Sequence, residues 1–527
     1  MGNKKAVVLT GSFNPVTRAH FDILSCAVDF AGADEGLFVA TNDAYLTKKT
    51  VVKAHTPFKL SEDVRRKMLE SLSAENPKLH FGGYELGGAD PSTVRTLKCI
   101  VKKREIDTLY FAIGADKFNG LQKWKDIDKM FEYMYLIVFA RGNINLDGII
   151  AGSPLFTKFR LHILLLNLAD YNLAAFDEDV SSTALREKFF AGEDYHDMMN
   201  EGPYKILSRF TPADFPPLTA EQIIEANIRY GGRFGENAAR MLVFKENARR
   251  FNNWDDTVFG SRDAKIKGTK VYRNEFKVSA DGEFNTEIDC VNADCADVAR
   301  DMIDGGLHPA IHNLASLVHP CGGYNKGLNA QEESLCYMST LSVSLYQFGN
   351  PKKKYIRDSG VPLTAGVYPL DFRFGGIYSP KVCFFRENLA GYYALRDHPF
   401  ECDVVTVASL SNRAHGNEFC GDETAYFTAD GRLTEEGKEI ERDKIRTVFR
   451  IALDNGNDSV VLGAFGCGAY RMLPEDVSAL FEEVINEDEF KGKFKKLVFA
   501  IYEKASRNRV TGESGKFKPF YDRFAKR

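Results

Sequence analysis

The chain has 527 residues, 44% hydrophobic and 27% charged, a balance that excludes a disordered or fibrous protein. At roughly 150 residues per domain it predicts two to four domains, each with a full hydrophobic core. Its 69 Lys and Arg against 73 Asp and Glu leave a net charge of −4, so no global basic field draws it onto nucleic acid or anionic lipid, although a local basic pocket stays open.

No apolar run reaches the ~18 residues that a membrane span needs. The opening MGNKKAVVLTGSFNP reads as strand and turn rather than signal peptide. A soluble cytoplasmic protein is predicted, with no membrane partner and no direct nucleic-acid binding; its oligomeric state is not specified. In chain order, KAVVLT, EGLFVAT, TLYFAIG and YLIVFAR are short β-rich runs, separated by amphipathic stretches such as FDILSCAVDFAG and SEDVRRKMLESLSA. That alternation predicts a parallel sheet covered by helices on both faces.

TPADFPPLT and RYGGRFG place a boundary near residues 211–235, flanked by helical AEQIIEANIRY and NAARMLVFKENARRF. Beyond it AIHNLAS, DVVTVAS, SVVLGAFG and KKLVFAIYE repeat the same logic. The predicted organisation is an α/β domain over 1–215, a junction over 216–235 and a second α/β domain over 236–527. Of ten cysteines only Cys26 and Cys99 precede residue 290, none form a C-x-x-C pair, and several lie in apolar runs. Reduced, packed thiols fit this better than disulfides or zinc, and no protein metal site is predicted.

After the first strand comes GSFNPVTRAH, where Gly11, Ser12 and Phe13 make a turn whose backbone N–H groups can approach an anion. The next helix, carrying His20, aims its positive end at the same place. The pattern is neither the dinucleotide glycine fingerprint nor a Walker loop. Downstream, VSSTALREKFFAG sets Ser181, Ser182 and Thr183 before a helix with Arg186 one turn in, a second anion cradle. Taken singly, His20 reads as an ordinary histidine and the serines as a cap. Two cradles at opposite ends of one α/β domain predict a triphosphate held across the C-terminal edge of the sheet.

In the second half, LVHPCGGYNKGLNAQEE carries Gly322, Gly323 and Gly327 in a flexible loop, then Gln331, Glu332 and Glu333 opening a helix. Glutamates in a first helical turn alone would be dipole-favoured surface residues. FGCGAYRMLPEDV offers Gly466, Cys467, Gly468 and Ala469 as a second glycine turn able to cradle a diphosphate. Two such loops, one bearing adjacent carboxylates, predict a nucleotide-sugar cleft.

GSFNPVTRAH resembles the G-x-F-x-P-x-[HT]-x-x-H signature of the nucleotidyltransferase superfamily, and SSTALR its S-[ST]-T-x-x-R partner. With AHTPFKLSEDVRRKMLE, DPSTVRTLK and IGADKFNGLQKWKDI, residues 5–210 resemble the nicotinate/nicotinamide mononucleotide adenylyltransferases. Thr17 stands where many members have histidine, and Ala19 where glycine is usual. The resemblance implies a Rossmann-like domain in which the mononucleotide 5′-phosphate attacks the α-phosphate of ATP, normally with Mg²⁺, by positioning and charge neutralisation without a general base.

It further implies His20 and Arg186 on the phosphates, and Ser181, Ser182 and Thr183 at their β/γ end. Gly11, Ser12, Phe13 and Thr17 would line the turn, with Gly114 and Asp116 at the nucleotide and Thr93 near the pyridine substituent. Trp124 either stacks on the pyridine or packs in the core.

PCGGYNKGLNAQEE, GGIYSPKVCFFR and LGAFGCGAYRM, within residues 236–527, resemble the bacterial-type macrodomain poly(ADP-ribose) glycohydrolases. Cys321 replaces the first glycine of that family's G-G-G loop. The resemblance implies an α/β/α macrodomain with Glu333 as the acid that protonates the leaving oxygen and Glu332 orienting ribose hydroxyls. Burial beside a second carboxylate would favour the protonated form such an acid needs. Gly322, Gly323, Gln331, Gly466, Cys467, Gly468 and Ala469 would contact ADP-ribose, while Tyr470 and Phe499 either contact it or merely pack.

Together the halves imply a bifunctional enzyme of NAD and ADP-ribose metabolism. Its ligands would be ATP, NMN or NaMN, NAD and ADP-ribose, with ADP-ribosylated protein or polymer as further partners. The rival readings are a second half that binds ADP-ribose without cleaving it, and a different phosphate acceptor such as ribose 5-phosphate.

Overall fold

The computed structural model describes residues 3–87, 92–124, 126–139, 145–167, 180–279, 282–364, 366–413, 423–503 and 515–525. The chain divides into two compact units, Met1–Gly231 and Gly232–Arg527.

In the first unit β1 (Lys5–Gly11), β2 (Glu35–Ala40), β3 (Leu79–Gly82), β4 (Thr108–Gly114), β5 (Met134–Phe139) and β6 (Ile163–Leu166) pair in the order β3-β2-β1-β4-β5-β6. Every pairing is parallel. The strand order reverses between β1 and β4, which opens a crevice at their C-terminal ends in the Rossmann manner. Ala6 and Val8 enter the core on one face and Val7 and Leu9 on the other; β1 is therefore an unbroken apolar run with no alternation. β3 and β6 escape prediction because four-residue strands are too short to show a period.

Of the helices, α1 (Arg18–Ala31) starts at a Thr17 cap and stops at Gly32, whose φ of 57° glycine adopts without strain. α2 (Glu62–Ser71) and α4 (Ser182–Ala191) start at Ser61 and Ser181, each accepting a backbone N–H; α3 (Thr93–Arg104) lies between them. α5 (Ala220–Tyr230) opens on a Thr219–Gln222 capping box.

The second unit opens with α6 (Gly232–Asn252). The expected junction over 216–235 is thus largely helical, and the expected boundary at 236 falls inside the first turn of α6, where Gly235 is already buried. Its sheet joins β7 (Lys270–Tyr272), β8 (Glu287–Val291), β9 (Pro309–Leu314), β10 (Gly376–Arg386), β11 (Leu395–Val407), β12 (Ser459–Leu462) and β13 (Lys496–Ala500) in the order β7-β10-β11-β9-β12-β13-β8. From β11 to β8 the pairing is parallel, whereas β7 with β10 and β10 with β11 are antiparallel.

This departs from a purely parallel repeat because only residues 387–394 connect β10 to β11, too few for the crossover that parallel strands require. α7 (Cys295–Asp304), α8 (Gln331–Met338), α9 (Glu435–Asp454), α10 (Pro474–Ile485) and α11 (Phe517–Phe524) complete the unit. A large core cluster gathers Val405, Phe449, Val460, Phe481 and Phe499. Among the described residues no helix is long and apolar enough to cross a membrane.

Candidate active sites

The first site forms on the turn that leaves β1. A Cβ on Gly11 would come within 3.0 Å of the Phe13 ring, so only glycine lets that ring fold back under the turn. Phe13 itself holds a φ of 43° and is buried, meeting the His20 ring edge-on at 5.2 Å. The Asn14 side chain donates to the Phe58 carbonyl and accepts from the Leu60 N–H, both at 2.8 Å. Arg65, fully buried, donates to the carbonyls of Ser12 at 3.0 Å and Thr41 at 2.8 Å. The turn is therefore braced from beneath before any ligand arrives.

Thr17 and His20 form the capping box of α1: the Thr17 N–H lies 3.1 Å from His20 Nδ1, and the Thr17 hydroxyl 2.7 Å from the same atom. With Nδ1 accepting, the neutral ring carries its proton on Nε2, where it can donate to an anion.

The two expected cradles do not sit at opposite ends. Ser182 donates its hydroxyl to the Pro15 carbonyl at 2.8 Å, and Arg186 donates to the Asn14 carbonyl at 2.8 Å and to the Thr183 hydroxyl at 3.0 Å. The start of α4 is thus bonded onto the turn after β1, and His20, Thr183 and Arg186 belong to one site. Ser181 is spent on the helix, accepting the Ala184 N–H at 3.1 Å. Burial holds the Arg186 guanidinium below its usual pKa.

Lys49 was not singled out from the sequence. Its ammonium donates to the Ser12 hydroxyl at 3.0 Å, and burial, then Lys117, then Arg186 push its pKa down. Cations that depress one another's charge mark a place where an anion would be welcome. Lys49 lies in a π-helical turn, Lys48–Lys53, which has no sequence period to reveal it.

Gly114 closes β4 beside β1, and Thr93 opens α3. The Asp116 side chain lies outside the described residues. Trp124 is half-buried against Phe111, ring centroids 6.3 Å apart, and joins the core beneath the sheet; of the two roles open to it, packing is the one on view.

The second site forms between β9 and α8. Glu332 and Glu333 are both buried, at 2% and 5% exposure, so these are not the surface glutamates of an ordinary first turn. Glu332 accepts the Ser316 N–H at 2.8 Å on one oxygen and the Cys321 N–H at 3.1 Å on the other. Glu333 Oε1 accepts the Gly323 N–H at 2.7 Å, while its Oε2 is buried with no hydrogen-bond partner among the described residues. Burial first, and the Glu333 carboxyl second, push Glu332 up to about 8. Burial thus favours the protonated form of Glu332.

Gly322 has φ 50°, and a Cβ there would lie 2.5 Å from Glu333 Oε1. Cys321 holds φ 63° beside it, the left-handed region that a non-glycine residue enters at a cost of ~1–2 kcal/mol. Cys321 thus takes a backbone conformation that glycine would adopt without strain.

The expected ligand contacts divide. Gln331 is committed to β9: its amide donates to the His312 carbonyl and accepts the Leu314 N–H, both at 2.9 Å. It anchors α8 to the strand, which corrects its expected place on the ligand. The second glycine turn does face the first loop, because the Tyr470 hydroxyl reaches the Ala315 carbonyl at 3.3 Å. Gly466, with φ 69°, has Met472 and Ser409 within 2.4 Å of any Cβ, so the turn tolerates no side chain there. Cys467 is buried and donates its thiol to the Phe465 carbonyl at 3.3 Å. Gly468 and Ala469 are exposed on the same turn.

Phe499 does not line the cleft. It is fully buried in β13 and stacked on Phe524 at 4.3 Å, which leaves no face for a ligand.

Three residues of α6 were missed. Asn237 and Arg240 donate to the Gly327 carbonyl at 2.9 and 2.8 Å. Asn247 donates to the Tyr324 hydroxyl and the Tyr337 carbonyl, both at 3.0 Å, and accepts from Arg386 at 2.8 Å. They clamp the carboxylate-bearing loop from behind, and a helix nearly ninety positions upstream offers no local signal of that.

Residues 8–188 match the cytidylyltransferase-like family, and residues 251–387 match the microbial-type PARG catalytic domain. Each of the two compact units thus holds a segment similar to a known family. The cytidylyltransferase-like match takes in both His20 and Arg186. The PARG match takes in residues 321–333 and ends before the turn at 466–470.

The "Probable nicotinate-nucleotide adenylyltransferase" of Clostridium tetani is 28% identical over 39% of this chain and 98% of its own length. That of Clostridium acetobutylicum is 25% identical over 39% and 97%. Poly(ADP-ribose) glycohydrolase from Thermomonospora curvata is similar at 24% identity and a TM-score of 0.41, covering 55% of this chain and all of that one. The enzyme from Deinococcus radiodurans in complex with ADP-ribose gives 24% and 0.37, covering 50% of this chain and 96% of its own.

Proposed function

We propose that the first unit transfers an adenylyl group from ATP to the 5′-phosphate of a pyridine mononucleotide, and that the second hydrolyses an ADP-ribosyl glycosidic bond. In each unit two motifs distant in sequence close on one another, and that observation carries the reading. Ser182 and Arg186 are bonded onto the turn before His20, and Tyr470 bridges the second glycine turn to the loop of Glu332 and Glu333.

In the first unit the nucleophile is already an anion. A phosphate oxygen of the mononucleotide attacks the α-phosphorus, and pyrophosphate leaves. His20 Nε2–H, Arg186 and Lys49 spread the charge that builds on the phosphoryl oxygens, and the braced turn keeps the donors in place. Thr93, Gly114 and Asp116 would meet the nucleosides at the same sheet edge. Among the described residues no three His, Cys, Asp or Glu side chains are grouped to hold a metal ion. A magnesium ion used in the reaction would arrive on the triphosphate, and no step here uses it.

In the second unit the bond between ribose C1 and the leaving oxygen breaks. Glu333, through its unpartnered Oε2, passes a proton to that oxygen while water adds to C1 and yields its own proton to the emptied carboxylate. Glu332 orients ribose hydroxyls, and the turn of Gly466, Gly468 and Ala469 receives the diphosphate. The two adjacent carboxyls, both kept buried at this loop, favour hydrolysis over a reader.

Incubation of the full chain with ATP and NaMN, NMN or ribose 5-phosphate, with product separation, tests the first activity; a dinucleotide from a pyridine mononucleotide is expected. Release of ADP-ribose from labelled polymer or modified protein tests the second. Glu333→Gln should lose about 10²- to 10⁴-fold of that release while ADP-ribose binding persists. ADP-ribose bound but never released by the parent would make the second unit a reader.

A further inference from the structure

The cleft of the second unit holds one group that neither the glycine loops nor the paired glutamates account for. Tyr368 sits in a surface segment with exposed neighbours at Gly366 and Pro369, yet its own hydroxyl is sealed from solvent. Two residues on, the Leu370 N–H donates to the Leu317 carbonyl at 2.9 Å, which fastens this segment over the loop that supplies Ser316 and Cys321 to Glu332. Besides burial, the groups whose charge the hydroxyl feels are Glu332 first, then Cys321, Cys336 and Tyr470. Tyr470 spends its hydroxyl on the Ala315 carbonyl. The Tyr368 hydroxyl has no hydrogen-bond partner among the described residues.

A buried hydroxyl without a partner weakens the free protein, and natural structures retain such groups mainly where something else completes them. Glu333 Oε2 is a second such atom, and Asn313 Oδ1, beside Glu332, is a third. Asn313 presents an acceptor oxygen, Glu333 Oε2 accepts once it has given up its proton, and Tyr368 presents a proton. A ligand that satisfied all three would need hydroxyl donors together with an acceptor oxygen, the mixture carried by a ribose joined to a diphosphate.

Resting on the glycohydrolase reading, we propose that Tyr368 is a binding residue of this cleft, its hydroxyl donating a hydrogen bond to an oxygen of the bound ADP-ribosyl group. The bond exists only in the complex, so the free enzyme keeps the hydroxyl at a cost in its own stability.

Tyr368→Phe in the full chain removes the oxygen and leaves the ring. Two measurements decide the matter: ADP-ribose affinity by calorimetry and the thermal midpoint without ligand. The expected result is an affinity weaker by about tenfold, a ligand-free midpoint equal to or above the parent's, and a KM for ADP-ribosyl substrate that rises more than kcat falls. Unchanged affinity would overturn the proposal. A lowered ligand-free midpoint would also overturn it, because the hydroxyl would then be supporting the fold. A parent chain that binds no ADP-ribose would instead refute the glycohydrolase reading and take this inference with it, whereas a parent that binds and a variant that binds equally well refutes the role of Tyr368 alone.

Discussion

Glu332 and Glu333 are neighbours on one helical turn, yet the backbone treats them differently. Glu332 is held by N–H groups on both oxygens, whereas Glu333 leaves one oxygen open. The raised carboxyl has a consequence for stability. Glu332 rises from 4.5 to about 8 on folding, so its contribution is whole below about pH 4.5 and is lost as pH climbs through about 8. Glu441, raised to about 7, and Asp294, raised to about 6, both chiefly by burial, act in the same direction. The thermal midpoint of the second unit should therefore fall between pH 5 and 9, and Glu332→Gln should flatten that slope. Calorimetry across the range checks it; a midpoint that rises toward pH 9 contradicts it. In the first unit, His20→Ala removes a donor that is pre-set by Thr17. Dinucleotide formation should fall by about 10²-fold or more, and activity within twofold of the parent would remove His20 from the site.

Among the elements, α6 holds the 324–337 segment through Asn237, Arg240 and Asn247. Asn247 is fully buried and joins Tyr324, Tyr337 and Arg386 in one network. Asn247→Ala would take the acceptor from a buried guanidinium and the donor from the loop, a loss of ~2–4 kcal/mol. A lower urea midpoint together with weakened ADP-ribose release is the expected outcome; full stability would show that the clamp is idle. A comparable dependence on tertiary partners runs through the first unit. There α4 supplies Ser182 and Arg186 to a turn more than 160 positions earlier, so a helix that looks capped for its own sake also holds that turn in place.

For the whole molecule, the two compact units meet in sequence at Gly231 and Gly232, each with its own sheet and its own core. Fragments 1–231 and 232–527 should each fold, the first making dinucleotide and the second releasing ADP-ribose. A second fragment beginning at 236 should be less stable than one beginning at 232, because it lacks the first turn of α6. Urea unfolding of the three pieces, with both assays, tests this; an inactive 232–527 fragment would mean that its site depends on the first unit.

The eight apolar runs read as strands in the sequence all lie in the two sheets, because a buried strand must be apolar whatever surrounds it. The short strands β3 and β6 and the antiparallel turn of β10 were not legible, since four residues carry no period and strand direction depends on what connects the ends. The glycine turns, His20, Arg186 and the paired glutamates could be picked out because each belongs to a motif with a local spacing; the structure bonds Arg186 to the turn before His20 and buries both glutamates. Lys49, Arg65 and Asn247 were not picked out, since each bonds to residues far away in the chain. The same distance in sequence explains the corrections at Gln331 and Phe499: an amide and an aromatic ring suit a ligand or a core equally well. Which of the two receives them is decided by the neighbours that folding brings into contact.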